Sequence, residues 1–250
     1  MPSEQQSKDM KAKPSGSTAP KQTSPMWITN YNLLSGGLWA FILLNTIITA
    51  IFFGQPEMFT LTNNWVVLVQ CCAVVEIYNS AVGNVKSPLL TTVMQVASRL
   101  LIVLGIFKAL PYSPGNYHWV YITLCIAWST TETVRYYYYA AKLLTHDNTP
   151  KKLTWLRYSL FTVLYPMGIS SEVSIIYKSL DEAQFVYGAV YKYFLIACLA
   201  IYVPGSYTLY SYMLKQRKKQ MKKLAEGIST KRKLRRSPTI AHIMVKSHVK

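Results

Sequence analysis

The sequence is short of acidic residues, of clustered cysteine and of any long polar stretch through its middle. Ten Asp and Glu stand against 27 Lys and Arg, giving a net charge of +17, yet charged residues are only 15% of a chain that is 51% hydrophobic. These figures do not suit an ordinary soluble domain unless charge and apolarity are segregated along the chain. The four cysteines, Cys71, Cys72, Cys125 and Cys198, all lie inside apolar runs. They form no C-x-x-C pair and have no nearby His, so a zinc site is not expected and buried free thiols are. No signal peptide is evident in the polar first 25 residues, and the C-terminal Lys246-Ser-His-Val-Lys250 lacks the dilysine retrieval pattern. No internal repeat of the kind that builds transporters is apparent.

Segregation is what the chain shows. Thirteen of the 27 Lys and Arg lie between Lys215 and Lys250, and four more (Lys8, Lys11, Lys13, Lys21) precede the first apolar run. Between them stand six apolar runs of near-membrane length, at about 33–53, 63–83, 89–110, 117–141, 155–176 and 191–213. Runs of ~18 or more apolar residues cross the ~30 Å hydrocarbon core as helices, the form that satisfies every backbone group in lipid. The gaps carry helix breakers: Gly54 and Pro56, Ser87-Pro88, Pro111 with Pro114 and Gly115, and His146 to Pro150. The expected fold is therefore all-α, a polytopic bundle of six transmembrane helices. Its divisions are a disordered arm at 1–29, the membrane domain at 30–214 and a basic tail at 215–250, whose Lys215–Lys223 stretch continues the last helix and attracts anionic headgroups.

Loop charge sets the orientation. The N-terminal arm, the gap with Lys86, the gap with Lys142, Lys151 and Lys152, and the tail are basic; the intervening gaps have no cation, or Lys178 offset by Asp181 and Glu182. With an even number of crossings, both termini face the cytosol. Trp27, Trp65, Trp119 and Trp155 fall near span ends, where amphipathic rings prefer the interface.

Ionisable residues inside the runs are the informative ones: Glu76, Arg99, Glu132, Arg135, Arg157 and Glu172. A charge at mid-membrane costs at least ~2.5–3.5 kcal/mol, so these groups should face the protein interior, either as Glu–Arg bridges or as a functional site. Glu132 and Arg135 are three apart and share a helix face. Arg157, near the start of its run, either snorkels to the interface or meets an anionic substrate group. Tyr165 and Glu172 are seven apart, two turns on one face, with ~10.5 Å of axial rise between them. Pro166 is expected to kink that helix, and Gly168 permits close approach of a ligand or a neighbouring helix. A phenol and a carboxylate there form a candidate acid–base pair; a kinked helix with an interfacial Tyr is the alternative.

Longer strings carry a resemblance. Tyr31-Asn-Leu-Leu-Ser, Val69-Gln-Cys-Cys-Ala-Val-Val-Glu-Ile and Val85-Lys-Ser-Pro-Leu-Leu-Thr-Thr-Val-Met-Gln-Val-Ala-Ser-Arg99 are three of them. Ala127-Trp-Ser-Thr-Thr-Glu-Thr-Val-Arg-Tyr136 and the Tyr-Pro-x-Gly-x-x-x-Glu run of Tyr165 to Glu172 complete the set. Over roughly residues 30–222 the chain resembles the 3-hydroxyacyl-CoA dehydratases of very-long-chain fatty acid elongation, also called the protein-tyrosine-phosphatase-like family, especially its fungal members. The resemblance implies an endoplasmic reticulum enzyme converting (3R)-3-hydroxyacyl-CoA to trans-2-enoyl-CoA. It implies Tyr165 and Glu172 as the catalytic pair, with no metal or redox cofactor. Elongase, ketoacyl reductase and enoyl reductase are the implied partners, besides membrane lipids, and no nucleic acid is expected. Glu172 is taken as base and Tyr165 as acid, with the opposite assignment open. Arg157, Tyr158, Arg99, Arg135 and Gly168 are candidate substrate-binding residues, and Lys151 and Lys152 stand beside Arg157. The phosphatase in the family name is disfavoured: a cysteine phosphatase needs Arg six residues after its Cys, and Ile77, Tyr78, Thr131 and Pro204 occupy those places. A non-catalytic membrane scaffold or lipid-binding protein is the competing reading.

Overall fold

The structure, a computed structural model, describes residues 26–83, 89–145 and 148–236, with side chains as far as Glu226. The N-terminal arm up to Pro25, Lys86, His146 and Asp147, and residues 237–250 lie outside the described residues. The remainder is helical: α1 Met26–Phe52, α2 Glu57–Ala81, α3 Leu89–Lys108, α4 Val120–Leu144, α5 Lys151–Lys178, the short α6 Leu180–Tyr187 and α7 Ala189–Arg236. Helix α1 begins at Met26, so the boundary expected at residue 29 falls inside it. The last helix does not stop at Leu214; it runs on through the basic segment.

Breakers end these helices where the sequence places them. Pro150 stands at the N-terminal boundary of α5, where its missing N–H costs nothing. Gly188, at φ 81° and ψ −178°, takes a positive-φ backbone conformation open to glycine, and it separates α6 from α7. Gly115 has no room for a side chain, because a Cβ there would sit 2.8 Å from the Ile175 carbonyl oxygen of α5. The second half of α3, Leu101–Lys108, is wound wider than an α-helix, with i→i+5 bonds such as Ala109 N–H to the Leu104 carbonyl at 3.1 Å. Along this stretch the Gly105 carbonyl accepts a 2.7 Å bond from the Tyr191 hydroxyl of α7.

Among the described residues five helices, α1, α2, α3, α5 and α7, are long and apolar enough to cross a membrane. Helix α4 has the length, 25 residues or about 37 Å, but not the apolarity. Its interior position explains why. It packs most extensively against α1 and next against α5, and its Ser129, Glu132, Tyr136 and Tyr138 are buried. A helix surrounded by protein does not need a lipid-like surface. The outer helices do: Leu34, Leu44, Ile51, Leu90, Val163, Val190 and Val203 are exposed, as lipid contact requires. Trp27, Trp65, Trp119 and Trp155 are exposed too. The chain is thus a helical membrane bundle. Its core gathers Trp39, Ile42, Met58, Phe59, Phe107, Tyr121, Leu124, Ile175 and Ile176.

Of the cysteines, all free, only Cys125 is buried; Cys71 and Cys198 are half-buried and Cys72 is exposed. The expectation of four buried thiols fails because a position in an apolar run can equally face lipid.

Candidate active site

Four of the ionisable residues in the runs form one ladder across three helices. Arg135 of α4 grips Glu76 of α2 with both terminal nitrogens, at 2.6 and 2.5 Å. Its Nε donates to Glu132 at 2.6 Å, so the pairing expected from their spacing is present. The other Glu132 oxygen accepts from Arg99 of α3, and the Tyr136 hydroxyl donates to Glu76. Arg99 and Arg135, offered by the sequence as substrate-binding candidates, therefore have carboxylate partners inside the bundle.

Glu172 differs. It is 4% exposed, and its two oxygens accept from two neutral donors on two other helices. The Trp128 indole N–H of α4 donates to Oε1 at 2.9 Å, and the Tyr202 hydroxyl of α7 donates to Oε2 at 2.9 Å. No ion pair involving Glu172 is found among the described residues. The guanidinium of Arg99 lies over the Trp128 ring, 5.3 Å from its centroid, on the indole that bonds Glu172.

Tyr165 lies on the same side of α5. Its ring stacks on Tyr210 of α7 at 5.8 Å, and its hydroxyl stands 3.4 Å from the Ser206 carbonyl oxygen. Tyr202 and Ser206 are one turn apart on α7, so Tyr165 and Glu172 face the same neighbouring helix. Both residues lie in the unbroken stretch Phe161–Lys178. The interruption in α5 comes at Leu160, ahead of both residues. The helix periodicity alone aligns the pair.

Gly168 faces α4: a Cβ there would meet the Ala127 Cβ at 3.6 Å and Trp128 at 3.9 Å. A Cβ at this position would make only ordinary van der Waals contact with α4. Arg157 sits at the opposite end of α5 from Glu172, with its guanidinium 6.0 Å from the centroid of Tyr139 and 5.7 Å from that of Tyr158. The Tyr158 ring stands edge-on to Tyr138 at 5.8 Å. An apolar groove of about 460 Å³ lined by Ala109, Tyr187, Val190, Tyr191 and Phe194 includes neither Tyr165 nor Glu172.

Sequence reasoning missed Trp128 and Tyr202. Trp128 carries a signal in retrospect, one turn before Glu132 and on the same face. Tyr202 carries none, since a tyrosine 30 positions from its partner is one of 19.

Residues 70–223 match a family model described as protein tyrosine phosphatase-like protein, PTPLA. A Schizosaccharomyces pombe protein named probable very-long-chain (3R)-3-hydroxyacyl-CoA dehydratase is 40% identical over 200 residues, 78% of this chain and 92% of that protein. The Oryza sativa very-long-chain (3R)-3-hydroxyacyl-CoA dehydratase PASTICCINO 2B is 35% identical over 210 residues, 79% and 94% of the two chains. The Caenorhabditis elegans protein of the same activity name, hpo-8, is 34% identical over 206 residues, 77% and 93%. No solved structure matches the chain.

Proposed function

Because the chain belongs to the protein tyrosine phosphatase-like (PTPLA) family, we propose that it is a very-long-chain (3R)-3-hydroxyacyl-CoA dehydratase, a hydro-lyase of fatty acid elongation. The observation that carries this reading is the environment of Glu172. A buried carboxylate held as an acceptor by two neutral donors, with no guanidinium ion pair among the described residues, keeps lone pairs for a proton. Glu76 and Glu132 spend theirs on arginine.

Dehydration breaks the C2–H and C3–O bonds of the hydroxyacyl chain. Glu172 takes the C2 proton, the electron pair becomes the C2–C3 double bond, and the Tyr165 hydroxyl protonates the departing oxygen, which leaves as water. Return of the proton from Glu172 to the Tyr165 phenolate resets the site, so atoms and charge balance. Trp128 and Tyr202 position the base. The acyl tail lies between helices, where each buried methylene contributes ~0.8 kcal/mol, and the CoA head stays outside. Ketoacyl reductase would supply the substrate and enoyl reductase consume the product, beside the elongase.

The direct test incubates purified full-length protein with (3R)-3-hydroxyacyl-CoA and measures enoyl-CoA. Steady formation of the trans-2-enoyl product is expected, and its absence from folded protein would overturn the reading.

For the membrane in question we propose the endoplasmic reticulum, with both termini cytosolic. The alternation of helices brings the start of α1, the start of α5 and the end of α7 to one end of the bundle: Tyr31 meets Tyr136, Arg157 meets Tyr139, and Phe161 meets Tyr210. That end holds Lys142, Lys151, Lys152 and the basic extension of α7, the side that the positive-inside rule assigns to the cytosol. Glycosylation or protease tags at residue 10, residue 148 and the tail should all report cytosol; a luminal report from any of them contradicts this topology.

Arg157, at the cytosolic mouth, is the proposed grip on the CoA end. Arg157→Ala is expected to raise the apparent KM, with kcat changing less. A collapse of kcat at unchanged KM would assign it to the chemistry instead, and a collapse of abundance would assign it to packing.

A further inference from the structure

Helices α5 and α7 run antiparallel in a register that their side chains define. Glu172 meets Tyr202, Tyr165 meets Ser206 and Tyr210, and Phe161 meets Tyr210. Continued by one turn beyond Phe161, the register brings Arg157 level with the stretch Leu214–Arg217 of α7. The start of α5, Lys151–Ser159, indeed packs against α7, and Arg217, Gln220, Met221 and Leu224 form its less exposed face. Two arginines from facing helices therefore stand at one end of the bundle.

They share a further property. The Nε atoms of Arg157 and Arg217 are both buried, and neither has a hydrogen-bond partner among the described residues. No carboxylate pairs with either guanidinium there. Every arginine deeper in the bundle is neutralised by glutamate; these two are not. Burying an N–H without an acceptor costs roughly 1–3 kcal/mol, more for a charged group. Holding like charges level with each other adds to that cost, in a setting made more positive by Lys151, Lys152 and Lys218. Such an arrangement is suited to an anion with several acceptor oxygens, which guanidinium groups bind in bidentate fashion.

We propose that Arg157 and Arg217 together form a phosphate-binding site at the mouth of the α5–α7 seam. This rests on the reading of the protein as an acyl-CoA enzyme and extends it. The ligand chemistry is a phosphate ester: the diphosphate and ribose phosphate of CoA, or the headgroup of an anionic phospholipid. Depth agrees with the first source. By helical rise Tyr165 lies ~12 Å and Glu172 ~22 Å further along α5 than Arg157, so phosphates held at the mouth direct the pantetheine arm down the seam and the thioester toward the pair. The basic continuation of α7 beyond Leu214 is then part of the substrate site, outside the limits that the apolar runs set for the membrane domain.

The test is equilibrium binding to purified full-length protein in phosphatidylcholine nanodiscs, with free coenzyme A and phosphate-free pantetheine as probes. Because it needs no turnover, it is read separately from the dehydratase assay. Arg217→Gln is expected to weaken coenzyme A about tenfold, the effect of one charge-assisted hydrogen bond, and to leave pantetheine binding unchanged. Arg217→Lys, which keeps charge but not the fork, should fall between. As a variant-free measurement, wild-type affinity for coenzyme A should drop as salt rises. In discs containing phosphatidate, lipid retention is counted by native mass spectrometry. If Arg217→Gln loses phosphatidate but keeps coenzyme A affinity, the site stands with the headgroup as its phosphate source. Unchanged coenzyme A affinity together with unchanged phosphatidate retention overturns the site. Enoyl-CoA formation failing in the wild type while coenzyme A binding still depends on Arg217 would overturn the enzyme reading and leave this site in place.

Discussion

Tyr165→Phe and Glu172→Gln are each expected to cut turnover by ~10²–10⁴-fold, the usual contribution of a positioned general acid or base, with expression and substrate binding retained. The substitutions are chosen for what they keep. Phe preserves the ring that stacks on Tyr210 and loses only the hydroxyl. Gln preserves the volume of Glu172 and presents one oxygen to the two donors that now share the carboxylate, Trp128 and Tyr202. An amide in that place still accepts but no longer has the charge to take a proton from carbon. The double variant should lose much less than the product of the singles, because the two groups serve one step and either loss already disables it. Ser171→Ala is the neighbouring comparison. Its hydroxyl bonds Thr123 and the Met167 carbonyl at 2.7 and 2.8 Å, a packing role, so dehydration should change little. Rates are read on purified, folded protein; near-normal turnover by either variant removes that residue from the chemistry.

Much of this arrangement is legible in the sequence, because the membrane makes composition decisive. Six runs of apolar residues separated by Gly and Pro predict the long helices, and their periodicity alone puts Tyr165 and Glu172 on one face. What the sequence does not contain is which helices meet. The Trp128–Glu172–Tyr202 convergence joins positions 44 and 30 residues apart, and no local pattern encodes it. The same lack leaves Arg99, Arg135 and Arg157 looking alike as charges in apolar runs; only packing separates the two that have glutamates from the one that does not. The interruption of α5 falls at Leu160, six residues before Pro166, a position that the proline alone does not specify.

The ion ladder is expected to govern whether the bundle folds at all. Glu132 is 3% exposed and answers two arginines from α3 and α4. Glu132→Ala strands Arg99 and strips Arg135 of one of its two carboxylates, and removing one member of a buried pair costs about 3–5 kcal/mol. Lipid around the helices gives the stranded charge no water to turn to. We expect a large fall in yield and in the melting temperature of the detergent-solubilised protein. The double variant Arg99→Met/Glu132→Leu removes both charges of the first rung and leaves the Arg135–Glu76 pair to carry Arg135. It should recover part of the lost stability, a coupling that independent contacts would not show. A double variant as unstable as the sum of the single variants Arg99→Met and Glu132→Leu would refute the rung. Recovery of the fold should not bring recovery of full turnover. Arg99 also lies over the Trp128 ring, and Trp128 donates to Glu172, the proposed base, so the methionine variant, though folded, loses the cation behind one of the two hydrogen bonds that hold Glu172. A folded double variant with reduced kcat and an unchanged KM is the expected outcome, and it would connect the ladder that builds the bundle to the carboxylate that works in it.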